Sequence, residues 1–128
     1  RFVISTEVWT DDGHYGTTIP ALEFAGTDSP SFAPGVTVGA AARTNVGCFN
    51  QSAEANSIKA SVLDAAGLTI GSVTLSLAAN AWGQTALSTI VSGGSVEFEP
   101  SDAAVCYAVV VDNSTNDGRF ISAAEYRP

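Results

Sequence analysis

Methionine is absent, histidine occurs once, cysteine twice, and Lys and Arg together number five against thirteen acids. Each scarcity excludes something. A net charge of −8 with so few bases leaves no cationic cluster to hold a phosphate backbone, which excludes nucleic acid as a partner and anionic bilayer surfaces with it. No apolar run reaches the ~18 residues of a spanning helix, so membrane insertion is not expected. Charged residues make up only 14%, which points to a surface of Ser, Thr, Asn and Gly rather than of ion pairs. Catalytic patterns are scarce too. Nucleophile–base chemistry on histidine would have to use His14, in an expected loop beside Asp11 and Asp12. The carboxylate pairs Asp11/Asp12, Glu97/Glu99 and Asp112/Asp117 lie in turns or on one face of a strand, not in the raised-pKa arrangement a glycosidase needs. No enzymatic activity is expected.

What is present is apolar β-structure. Hydrophobic residues at 45% of 128 supply enough burial to exclude disorder and to build one domain with its own core. The chain opens on Arg1 and is read as a mature product whose leader was removed, or as an excised piece. Two cysteines, Cys48 and Cys106, suit a disulfide in an oxidising, extracellular setting, with a pair of buried thiols as the alternative. A bond between them is expected to pin the sandwich shut.

Alternation of period two marks the strands. Residues 1–9 alternate, with Phe2, Ile4 and Val8 on one face. Residues 17–24 form a second strand that Pro20 demotes to an edge or bend. Residues 26–39 read as the longest irregular segment, with Val36 and Val38 as a short edge strand. Residues 43–50 follow as a strand with Val46 and Cys48 inward, and then residues 57–62 with Ile58, Ala60 and Val62 inward. Asp64 to Gly67 make a hairpin turn. In residues 68–77 the parity changes, and a bulge at Gly71 is expected to reconcile Leu68 and Ile70 with Val73, Leu75 and Leu77. Residues 78–83 are expected as loop, and Gly93-Gly94 as a break before a strand at 95–99. Residues 104–111 are apolar throughout, as a strand covered on both faces would be. Arg119 to Tyr126 complete the set. Eight or nine strands without helical periodicity predict an all-β, two-sheet sandwich.

The chain's two ends echo one another. Val8-Trp9-Thr10-Asp11-Asp12-Gly13, then Thr18-Ile19-Pro20-Ala21, matches Val110-Val111-Asp112-Asn113 through Asn116-Asp117-Gly118, then Phe120-Ile121-Ser122-Ala123. A sandwich needs this unit once. Two copies suit a cut through a tandem array or a swapped terminal strand.

The run Arg43-Thr44-Asn45-Val46-Gly47-Cys48-Phe49-Asn50, the Asp64-Ala65-Ala66-Gly67 hairpin and the Val111-Asp112-Asn113-Ser114-Thr115-Asn116-Asp117 turn resemble immunoglobulin-like β-sandwich repeats of secreted and surface-anchored bacterial proteins. The likeness spans about residues 17–124 and implies an extracellular, immunoglobulin-like architecture rather than a reaction. The antibody signature itself is lacking, with no Tyr two residues before Cys106 and no Trp in the strand after Cys48.

The functional expectation is a structural or adhesive surface module, a pilus-like filament subunit in which residues 1–16 are strand and hinge and residues 17–128 the sandwich. Phe2, Ile4 and Val8 would complete the sheet of a neighbouring copy, head to tail. The alternative is a carbohydrate-binding module that stacks glycans on Trp82, helped by Trp9, Tyr15 or Tyr107 if they cluster. No cofactor is expected. A structural Ca²⁺ on Asp112, Asn116 and Asp117 is a minor candidate, since the glycine comes late and no Glu closes the loop. Asn50-Gln51-Ser52 and Asn113-Ser114-Thr115 are glycosylation sequons.

Overall fold

The computed structural model describes residues 5–9, 16–20 and 26–125, and their side chains from residue 26 onward. Strands β1 (Ser5–Trp9) and β2 (Gly16–Pro20) pair antiparallel as a ladder of their own. Nine further strands build two antiparallel sheets. One has the order β10 (Gly118–Ser122), β9 (Ala104–Asp112), β4 (Ala42–Asn50), β7 (Trp82–Ala86). The other has the order β11 (Ala124–Glu125), β3 (Ser31–Val38), β8 (Val91–Pro100), β5 (Asn56–Leu63), β6 (Thr69–Leu77). The expected all-β sandwich is therefore the fold.

Alternation places the core. Ile58, Ala60 and Val62 of β5 are fully buried against Val46 and Cys48 of β4 and Cys106, Ala108 and Val110 of β9. Phe98 is the largest fully buried side chain, and its cross-strand neighbours are Ala60 and Ser31, small enough to leave room for a ring. Thr44, also fully buried, donates its hydroxyl to the Thr37 carbonyl of the opposite sheet at 2.7 Å. β9 is buried along nearly its whole length, as its uninterrupted apolar sequence predicts for a central strand.

Several segments depart from expectation. The stretch read as irregular contains β3, eight residues long, with Ala33, Val36 and Val38 in the core. Its period is hidden by bulges around Gly35, which has φ 79°, so inward residues fall at 33 and then 36. Arg119 donates to the Gly35 carbonyl at 2.8 Å. Pro34 is tolerated because β11 pairs only with Ser31 and Phe32, leaving the outer edge of β3 without a ladder partner at 34 among the described residues. Gly93-Gly94 do not break the chain. β8 runs through them, and a side chain at Gly94 would lie 2.2 Å from the Leu63 carbonyl oxygen, a close approach only glycine allows. The expected bulge in β6 exists, because Val62 faces Gly71 and Leu63 faces Thr69. It leaves Leu68 and Ile70 exposed rather than buried. The Asp64–Gly67 turn forms as read, with Gly67 at φ 84° and the Asp64 carboxylate accepting from the Ala66 and Leu68 amides. The last strand is two strands: the chain leaves β10 at Ala123, whose amide donates to the Cys106 carbonyl, and enters the other sheet as β11.

Cys48 and Cys106 form a disulfide. They face each other on adjacent strands of one sheet, so the bond staples β4 to β9 and does not clamp the two sheets together.

Candidate functional site

The outer face of the four-stranded sheet carries an aromatic surface. Register sets it out in rows. Trp82 lies opposite Phe49, and Phe49 opposite Val105. The next row is Gln84, Gly47, Tyr107 and Ser122. Phe120 stands across from Val109 in the row beyond. Trp82 is 57% exposed and Phe49 41%. The indole Nε1–H of Trp82 donates to the Tyr107 hydroxyl at 2.8 Å, and that hydroxyl donates to Gln84 Oε1 at 2.8 Å. Tyr107 also stacks on Phe120, with centroids 5.2 Å apart. Gly47 makes this possible. A Cβ there would sit 2.4 Å from the Tyr107 ring, so the tyrosine lies flat across β4 where glycine leaves a gap. Burial pushes the Tyr107 phenol up from its ordinary pKa, against a smaller downward pull from the Trp82 hydrogen bond.

Of the aromatics considered from sequence, Trp82 and Tyr107 are brought together. Trp82 opens β7 rather than lying in a loop. The side chains of Trp9 and Tyr15 lie outside the described residues. Phe49, Gln84 and Phe120 were not singled out. Their signal was parity: each alternates with an inward neighbour, but only strand order shows that the three outward positions share one face.

Phe2 and Ile4 lie outside the described residues, as do His14, Asp11 and Asp12. Val8 lies in β1 with Thr17 as its cross-strand partner. Gly16, the last residue of the expected strand-and-hinge segment, opens β2 and pairs with Trp9.

The acidic candidates are structural in their surroundings. Glu97 and Glu99 stand on β8, the middle strand of its sheet, with a paired strand on either side. Partial burial raises the Glu97 carboxyl, with Glu99 adding to the effect and Lys59 opposing it. In the β9–β10 turn, Asp112 Oδ1 accepts from the Ser114 and Thr115 amides and from the Ser114 hydroxyl. These bonds, the Ser114 hydroxyl foremost, hold its carboxyl below the usual range. Arg43 donates to Asn113 Oδ1 at 2.8 Å and Asn116 Oδ1 at 3.3 Å, so a guanidinium occupies the side from which a cation would draw Asn116. Among the described residues no three His, Cys, Asp or Glu side chains gather as a metal site.

One end of the sandwich is tied by two buried asparagines. Asn50 donates to the carbonyls of Glu54 and Ala78 and accepts from the Ser52 amide and Asn56. Asn56 Oδ1 accepts from the amide and hydroxyl of Ser101 and the amide of Asp102. The Ser52 hydroxyl then donates to Asp102 and, with the Ala103 amide, lowers that carboxyl's pKa. Asn50 is wholly buried, so its sequon cannot carry a glycan in the folded protein. Asn113 is exposed, and its amide donates to the Gly39 and Ala40 carbonyls.

No family model matches the chain, and no curated protein does. Among solved structures, the crystal structure of Thermotoga maritima 1070 superposes with a TM-score of 0.60 at 13% identity, covering 76% of this chain and 94% of that one. At that identity the likeness is one of fold alone: the chain shares a β-sandwich architecture with a bacterial protein.

Proposed function

We propose that this chain is a non-enzymatic, extracellular structural module, a filament-type subunit that joins copies of its own kind head to tail through its N-terminal β-structure. One observation carries the reading. The two sheets are complete without β1 and β2, which among the described residues form a ladder only with each other, β2 lying beside β10, and leave one edge of β1 without a ladder partner. An open strand edge is a template for a further strand. The disulfide is consistent with secretion into an oxidising compartment. The test is the size of the native particle before and after deletion of residues 1–20. Concentration-dependent high oligomers that the deletion abolishes support the reading; a monomer in both forms refutes it.

A second reading, carbohydrate binding, is favoured by the exposed Trp82–Phe49 pair and its hydrogen-bonded neighbours. Flat aromatic rings beside a fixed amide and hydroxyl are what a sugar ring stacks on and bonds to. A glycan-retention assay on native protein and on Trp82→Ala decides it, with retention lost in the variant if the face binds sugar.

A further inference from the structure

The β1–β2 hairpin repeats the β9–β10 hairpin pair for pair. Trp9 faces Gly16 as Val111 faces Gly118, and Ser5 faces Pro20 as Tyr107 faces Ser122. One shift, 102 (9 to 111, 16 to 118), maps both strands, and the stretches between the last pairs, 10–15 and 112–117, are equally long. The same shift superimposes Val8 on Val110, Gly16 on Gly118, Ile19 on Ile121, Ala21 on Ala123 and Glu23 on Glu125. The counterpart of Gly118 is thus Gly16, not the turn glycine Gly13 that the sequence echo suggests.

The hairpins differ in what lies on the far side. β9 gives its other edge to β4, with Ala108 opposite Val46 and Val110 opposite Thr44. The corresponding edge of β1 has no ladder partner among the described residues. Thr6 and Val8 hold the register positions of Ala108 and Val110, the core-facing residues of β9, and are small or β-branched, as that place requires.

We infer that the Ser5–Pro20 hairpin is a second closing hairpin, built to seat beside the β4 strand of another sandwich of this design when that sandwich's own β9–β10 is not docked there, since β9 and the Cys48–Cys106 bond otherwise fill the place. This rests on the filament reading and deepens it: the donated element is a two-strand hairpin, its partner is a second copy whose β9–β10 it replaces beside β4 before Cys48 and Cys106 join, and its register is set by the shift of 102.

The test is a fused chain in which residues 1–104 of one copy run directly into residues 3–128 of a second, so that β1–β2 of the second falls where β9–β10 of the first would be. The control fusion resumes at residue 4, which moves every closing-strand residue by one and exchanges its faces. Expected is a first body that folds only in the in-register chain. Its β4 amides, and those of Ser5–Trp9 in the second copy, should then exchange at least ~100-fold more slowly than Ser5–Trp9 in the single chain. An in-register chain with Ile4→Cys in the second copy should form a disulfide to Cys48 of the first, read by peptide mapping. An unfolded first body, no slowing, or equal slowing in the shifted control overturns the inference. A monomeric single chain sinks the filament reading without deciding the fusion result. A failed fusion beside a polymeric native particle removes this docking route alone.

Discussion

Replacing Asn50 tests whether the buried amide cluster holds one end of the sandwich together. The side chain is fully buried and makes four hydrogen bonds to the β4–β5 and β6–β7 connections and to Asn56. Asn50→Ala removes all four. At about 1 kcal/mol net for each of the four bonds, the loss should be about 4 kcal/mol. That is a large share of the ~5–15 kcal/mol a domain of this size possesses. Asn50→Asp keeps the shape but aims a carboxylate oxygen at the Glu54 and Ala78 carbonyls. Burial and those carbonyls raise the new carboxyl's pKa in the folded state. The sign follows: its protonated form is the compatible one, so the variant's deficit is smallest below the unfolded value and grows as pH rises through the folded one. Urea denaturation of both variants between pH 4 and pH 8 measures this. A loss under about 1 kcal/mol for Asn50→Ala, or a flat pH profile for Asn50→Asp relative to wild type, would refute the reasoning.

Gly47→Ala should cost about 1–3 kcal/mol, because the new methyl displaces the Tyr107 ring and with it the Trp82 and Gln84 hydrogen bonds; denaturant midpoints and Trp82 fluorescence read both effects. Reducing the disulfide should cost about 4 kcal/mol on the chain-entropy account of a 58-residue separation, and an unchanged midpoint in reductant, with thiol release verified, would contradict it. Lowered carboxyl pKa values at Asp102 and Asp112 contribute stability that is present above the ordinary Asp range and lost as pH falls through the folded values. Asp112→Asn should therefore flatten the acid limb of the stability profile below about pH 4, whereas the raised Glu97 acts in the opposite sense and Glu97→Gln should relieve a small loss above it.

Alternation alone was enough to place Ile58, Ala60 and Val62 inward, to give β9 two covered faces and to end β5 at an Asp–Gly turn. Each depends on neighbours along the chain or on one strand's parity. β3 escaped because Gly35 shifts the phase, and Gly94 was misread because its reason, the Leu63 carbonyl, lies on another strand. The two cysteines announced a bond, but only strand order set β4 beside β9 and made it a staple within one sheet. The aromatic face was legible in its members Trp82 and Tyr107 and illegible as a face, since outward residues of β7, β4, β9 and β10 share a surface only after the sheet has formed. The terminal echo was written in the residues. Pairing supplied its register, because hydrogen-bonded partners, unlike sequence likeness, say which residue stands opposite which. Local chemistry sets period, turn and parity; the order of strands is a choice among distant pairings, and that choice is made by packing.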